Sequence, residues 1–111
     1  MKRLIEETLI KCGMPVGLKG FQYIPEACAV LAEEPNIKIT VMYEVVAKRV
    51  NSTPSRVERS IRHALLRTRK KGNPEMVQKY FGNENTNAST LKLLLWHISR
   101  EMEDAINEKN D

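Results

Sequence analysis

Hydrophobic residues recur every three or four positions along most of the chain, which is the spacing of helices that bury one side. The longest such stripe lies in the final third and consists of Leu91, Leu94, Leu95, Ile98, Met102, Ala105 and Ile106. Residues 37–40 are rich in β-branched side chains, but no partner strand is evident elsewhere. We therefore interpret this segment as an extended connection between helices.

The pattern predicts six helices, most of them bounded by residues that start or stop a helix. They span residues 3–12, 22–34, 41–51, 54–70, 74–81 and 89–107. Thr53 and Ser89 are the expected N-caps of the fourth and sixth helices, whereas Gly13 and Gly82 follow helices as terminating glycines. The predicted fold class is all-α with about six helices, in one domain that covers all 111 residues.

The third and fourth helices have the arrangement of a helix-turn-helix. Asn51 lies in the turn, where it tolerates a left-handed backbone, and Pro54 occupies the first position of the second helix. One side of that helix is apolar and consists of Val57, Ile61, Ala64 and Leu65. The opposite side carries Ser55, Arg59, Arg62 and His63, with Arg56 and Glu58 on the flanks. A helix with this layout can pack against a core and enter a DNA major groove.

The formal net charge of +4 is unevenly distributed along the chain. Residues 44–83 carry ten basic and three acidic side chains, a net charge of +7, and they include the whole fourth helix, residues 54–70. Residues 1–43 are neutral and residues 84–111 have a net charge of −3. The local excess of positive charge around a helix-turn-helix favours nucleic acid as the partner.

Composition argues against several other classes of function. Aromatic residues make up only 5% of the chain, fewer than modules that stack single-stranded bases usually need. No apolar run approaches the roughly 20 residues of a membrane span, and the N-terminus lacks a signal-peptide core, so we expect a cytoplasmic protein with no membrane contact. Cys12 and Cys28 are expected to be buried free thiols in a reducing compartment, although sequence alone leaves their pairing open.

Candidates for catalysis or metal binding are few. The only soft ligands or nucleophiles are Cys12, Cys28, His63 and His97, and their spacing is not that of a zinc motif. The acidic residues are scattered and form no paired constellation. The sequence therefore predicts no enzyme activity, no metal site and no cofactor.

The segment SRVERSIRHA at residues 55–64 resembles the DNA-binding effector domain of the stage-zero response regulator, the sporulation master regulator of endospore-forming bacteria. Three blocks carry the resemblance, namely IKCGMPVGLKG at 10–20, MYEVVAKRVNSTPSRVERSIRHAL at 42–65 and the segment 71–82 with its Gly72-Asn73 and Phe81-Gly82 pairs. The resemblance covers most of the chain and weakens after residue 83.

The resemblance implies a six-helix domain that binds DNA boxes of the type TGTCGAA, often in tandem. It also implies contact with the housekeeping sigma factor of RNA polymerase and dimerisation on tandem sites. Full-length members carry an N-terminal receiver domain whose phosphorylation relieves inhibition. These 111 residues contain no receiver, so the chain is expected to be an excised effector domain or a stand-alone protein.

The residue chemistry suggests which side chains contact DNA. The candidates for base reading are Arg56, Glu58, Arg59 and Arg62. Arg56 can donate two parallel bonds to guanine, and Glu58 can accept from cytosine, although an i, i+4 pair between Glu58 and Arg62 is the alternative. Which of Arg59 and Arg62 reaches a base is left open. The candidates for phosphate contact are Ser55, His63, Lys48 and Lys71.

A rival interpretation is a protein-interaction adaptor that has a basic surface and no sequence-specific DNA binding. The apolar and acidic last helix could bind a partner, and His63 could simply be a solvated helix residue. A specific DNA-binding protein should retain its box over a scrambled duplex at physiological salt, whereas binding by charge alone should collapse.

Overall fold

The computed structural model describes residues 1–110, which form six helices and no strand. The helices are α1 Lys2–Lys11, α2 Lys19–Glu33, α3 Ile39–Arg49, α4 Pro54–Lys71, α5 Pro74–Tyr80 and α6 Asn87–Asn110. The predicted all-α class with a central helix-turn-helix arrangement, formed by α3 and α4, is confirmed. In the described part of the chain, no helix is both long enough and apolar enough to cross a bilayer.

The turn between α3 and α4 has the local chemistry that its sequence predicts. Asn51 adopts a left-handed backbone with φ 55°. The Thr53 hydroxyl accepts a hydrogen bond from the backbone amide of Arg56 at 3.3 Å, and Pro54 is the first residue of α4. These features set the start of α4, because the Thr53 hydroxyl pairs with one free amide of the first turn and Pro54 has no amide hydrogen that needs a partner.

Several predicted boundaries are wrong. Helix α2 begins at Lys19 rather than at residue 22, because Gly20 and Phe21 are already buried in helical conformation. Helix α3 begins at Ile39, so the predicted connection at residues 37–40 is half helical. Ser89 is not the N-cap of α6. Thr86 caps that helix, because its hydroxyl accepts from the amide of Ser89 at 3.1 Å.

The core is organised around α2, which packs against α1, α3, α4 and α6. The predicted apolar side of α4 is confirmed, since Val57, Ile61, Ala64 and Leu65 are all buried. At the start of α2, a Cβ atom on Gly20 would lie 2.4 Å from the Cβ of Ala64 and 2.5 Å from the carbonyl oxygen of Ser60. Only glycine allows the two helices to approach this closely.

The apolar stripe of α6 is buried along its first half only. Leu91, Leu94 and Ile98 are fully buried, and Leu95 and Met102 are partly buried. Ala105 and Ile106 are exposed, contrary to the prediction. The 24-residue helix is about 36 Å long, which is longer than the core beneath it, so its final turns extend past the other helices.

Arg69, near the end of α4, clamps the loop between α5 and α6. Its guanidinium donates to the carbonyl oxygens of Gly82 at 2.8 Å, Phe81 at 3.3 Å and Glu84 at 2.7 Å, and to the hydroxyl of Thr90 at 3.1 Å. The same group lies 5.6 Å from the centre of the Phe81 ring. Burial lowers the pKa of Arg69, an effect that the charge of Glu84 opposes. The side chain of Arg69 therefore has a structural role.

Replacing Arg69 by alanine should lower the free energy of unfolding by about 2–3 kcal/mol, because hydrogen bonds from a charged donor are lost and carbonyl oxygens lose a partner. Chemical denaturation followed by circular dichroism measures this change. Arg67→Ala is the matched control, since Arg67 is exposed on the same helix and carries the same charge. The control should change stability by less than about 0.5 kcal/mol. Equal effects of the two substitutions would contradict a structural role for Arg69.

Candidate nucleic-acid interface

The candidate interface is the side of α4 that faces away from the core. Helix α4 has 18 residues, which gives a length of about 27 Å. Four predicted contact residues on it, Ser55, Arg59, Arg62 and His63, are exposed. Arg56 is exposed in the first turn of α4, and Glu58 is partly exposed. The structure thus separates a buried apolar side from an exposed polar side along one helix.

A groove between α3 and α4 brings four of the predicted residues together. From α4 it is lined by Pro54, Ser55, Glu58, Arg59 and Arg62, and from α3 by Thr40, Tyr43 and Glu44. Tyr43 is largely buried, although it contributes to the lining of this groove. Burial raises the pKa of Tyr43, while a hydrogen bond from Asn87 acts in the opposite direction. The phenol is therefore neutral at physiological pH.

Glu58 and Arg62 form the ion pair that their spacing predicts. The Nε atom of Arg62 lies 3.5 Å from Oε1 of Glu58, and both side chains are more than a third exposed. Exposed i, i+4 pairs contribute only about 0.3–0.5 kcal/mol, so the pair opens at little cost. The geometry is consistent with a helix-stabilising pair and also with two side chains available to a ligand.

A second groove lies on the other flank of the recognition helix. It is lined by Arg59, Ser60 and His63 of α4 and by the segment Leu18–Gly20 at the start of α2. Lys19 is exposed there, on the first residue of α2. Arg59 thus lines both grooves, which places it at the centre of the exposed side.

The structure does not bring all the predicted residues to one place. Lys48 is exposed on α3 and lines neither groove. Lys71 is the last residue of α4, about 22 Å along the helix axis from Arg56 and roughly 120° around it from Arg59. These two lysines therefore lie at the margins of the candidate interface.

Besides Arg62, which pairs with Glu58, three of the ten basic residues in the segment 44–83 have partners inside the protein. Arg49 pairs with Glu33 at 3.2 Å and lies 3.9 Å from Glu26. Lys79 lies 3.7 Å from Glu101. Arg69 is held by the carbonyl oxygens described above. Sequence patterns carry no direct signal for these roles, because the partners lie 12 to 23 positions away in the chain.

The two cysteine side chains lie in the interior of the protein. Cys12 and Cys28 are buried free thiols, as predicted. Burial raises the pKa of Cys12 to about 11 and that of Cys28 to about 12, so both remain protonated and unreactive at neutral pH. Within residues 1–110, no group of three or more histidine, cysteine or carboxylate side chains is arranged to hold a metal ion.

Comparison with known protein families agrees with the helix-turn-helix geometry and the exposed basic side of α4. The family model described as sporulation initiation factor Spo0A C terminal matches residues 5–98 of the chain. The match includes all three blocks on which the family resemblance rests, and it extends through most of the structured core. The chain belongs to this family of sporulation initiation factor C-terminal domains, whose members are DNA-binding transcription regulators and not enzymes.

Proposed function

We propose that the chain is a sequence-specific regulator that inserts residues 54–70 into the major groove of TGTCGAA-like boxes. One observation carries the proposal. The exposed side of α4 presents Arg56, Glu58, Arg59 and Arg62, while its opposite side is buried in the core. A helix held in this way can place its side chains against base edges without moving its backbone.

The base-reading roles follow from the chemistry of each side chain. Arg56, in the first turn of α4, donates two parallel bonds to O6 and N7 of a guanine. Glu58 accepts from N4 of a cytosine once its weak pair with Arg62 opens. Arg59 and Arg62 follow on the outer side, and one of them reaches a base while the other contacts phosphate. Among these four side chains, only Glu58 would weaken nonspecific attraction to DNA, so its presence there favours base reading.

The phosphate-contacting roles belong to Ser55, His63, Lys48 and Lys71. Contacts of this kind set the register of the protein on the duplex without reading its sequence. His63 lies beside Arg59 in the groove next to α2, which favours a role near the centre of the interface. Lys48 and Lys71 lie farther out, which favours contacts with the flanking backbone.

The proposed location, oligomeric state and protein partner follow from the family resemblance. The 111 residues constitute one effector domain that acts in the cytoplasm and needs no cofactor. Two copies occupy tandem boxes as a dimer, and the domain contacts the housekeeping sigma factor of RNA polymerase. A single domain buries a modest interface with DNA, so pairing on tandem boxes would supply the affinity that one copy lacks.

A duplex that contains TGTCGAA should be retained at physiological salt, whereas a scrambled duplex of equal length and composition should be lost. Specific contacts persist when phosphate attraction is screened, because they do not depend on counterion release alone. Fluorescence anisotropy at two or more salt concentrations measures both affinities. Equal affinities for the two duplexes would contradict this function and favour the adaptor with a basic surface, for which the exposed Trp96 and Ile106 on α6 would be the contact.

Arg56→Ala should weaken binding to the specific duplex by about 1–3 kcal/mol and relax discrimination at one base pair. Lys71→Ala removes the same charge at the far end of α4, and it should weaken specific and scrambled duplexes about equally. A gel-shift titration against single-base variants of the box separates the two effects. Identical behaviour of the two variants would refute the division into base-reading and phosphate contacts.

Glu58→Ala should reduce discrimination between the box and its scrambled form more than it reduces total DNA affinity, because a negative charge is removed along with a cytosine contact. Glu44→Ala is the matched control, since Glu44 lines the same groove and has the same charge. The control should raise affinity for both duplexes slightly and leave their ratio unchanged. If Glu58→Ala behaves like Glu44→Ala in anisotropy titrations, the role of Glu58 is limited to stabilising α4 through its pair with Arg62.

A further inference from the structure

Asn87, the first residue of α6, joins three helices around the candidate interface. Its side-chain amide donates one hydrogen bond to the hydroxyl of Tyr43 on α3, at 3.0 Å, and another to the backbone carbonyl of Glu58 on α4, at 3.2 Å. Both available N–H donors of the amide are therefore used, each on a different helix of the helix-turn-helix. No other side chain among the described residues bonds to both of these helices in this way.

Both acceptors lie next to side chains that are proposed to read bases. In an α-helix the carbonyl of Glu58 also accepts from the amide of Arg62, so Asn87 holds the turn that carries two proposed base-reading side chains. Tyr43 is buried and lines the groove that faces Glu58, Arg59 and Arg62. A shift of α4 relative to α3 would stretch one of the two bonds.

We propose that Asn87 is a positioning residue, which fixes the recognition helix against α3 at the separation and rotation required for base reading. The proposal rests on the function proposed above, and it assigns to the start of α6 a role in DNA specificity. Asn87 contacts no base in this scheme. It acts through the backbone of Glu58, since small displacements of a base-reading side chain remove hydrogen bonds that tolerate only a few tenths of an ångström.

The position of Asn87 separates this role from a role in helix stability. Asn87 is the first residue of α6 and directly follows the capping residue Thr86. An aspartate at this position would favour the helix, because negative charge is stabilising in a first turn. The same aspartate could still accept from the Tyr43 hydroxyl, which can rotate to donate, but its carboxylate would face the carbonyl oxygen of Glu58 with no hydrogen to share and would repel it. The two roles therefore predict opposite effects for one substitution.

The test compares Asn87→Ala, Asn87→Asp and the wild-type protein by fluorescence anisotropy on the TGTCGAA duplex and on its scrambled form, at pH 7.5. Asn87→Ala should weaken specific binding about three- to ten-fold, the scale of one or two neutral hydrogen bonds, while binding to the scrambled duplex changes less than about two-fold. Asn87→Asp should lose more discrimination than Asn87→Ala, although its melting temperature should be equal to or higher than that of the alanine variant.

Two further variants control for folding. Asn85→Ala changes an exposed asparagine in the loop just before α6, and it should bind both duplexes as the wild type does. Tyr43→Phe keeps the buried ring and removes only the hydroxyl acceptor, so it tests the same contact without altering α6. It should reduce discrimination about two- to three-fold.

The outcomes are distinguishable. Discrimination by Asn87→Asp at or above the wild-type level would overturn the positioning role, as would proportional losses on both duplexes in the alanine variant. A wild-type protein that fails to discriminate would refute the proposed function, and the positioning role with it. A discriminating wild type with an unaffected Asn87→Ala variant would refute the positioning role alone.

Discussion

The packing of α2 against α4 is the constraint on which the rest of the structure depends. At Gly20 the two helices approach so closely that a Cβ atom would overlap both the Ala64 side chain and the Ser60 carbonyl. This contact lies in the middle of α4, on the flank where Ser60 and Ala64 meet the start of α2. Because the interior is close-packed on one side, the other side is presented to solvent in a single orientation.

The C-terminal end of α4 is fixed by a second close approach. A Cβ atom on Gly72 would lie 2.2 Å from the carbonyl oxygen of Cys12, and that oxygen accepts from the amide of Asn73 at 2.9 Å. Gly72 has φ −82°, so its importance comes from space and not from a left-handed backbone. Together with the Arg69 clamp, this contact ties the end of α4 to the turn after α1 and to the loop before α6. The backbone of α4 is thus held at its middle and at its end.

The features that could be predicted from sequence are those set by local chemistry. The turn at Asn51 and the cap at Thr53 depend on neighbours within a few residues, and the buried side of α4 depends on helical periodicity alone. Boundaries that depend on tertiary contacts were misplaced. Helix α2 starts early because Gly20 must meet α4, and Ile106 is exposed because the core ends before α6 does. Periodicity shows which side of a helix can be buried, but it does not show how far the partner surface extends.

A net charge counted from the sequence likewise does not show which charged side chains have partners within the fold. The net charge of +7 in residues 44–83 suggests a broad basic surface. Arg49 and Arg69 are bound to acidic side chains and carbonyl oxygens within the protein, and neither can neutralise a phosphate without giving up those contacts.

The cations left to meet DNA therefore lie chiefly along α4, the helix that carries the proposed base-reading residues. Since nonspecific affinity grows with the number of phosphates neutralised, one domain has less of it than its sequence suggests. Under the proposed function, discrimination between DNA sequences then rests on how precisely α4 is held. That requirement explains why so many contacts of the fold, from Gly20 to Asn87, converge on this one helix.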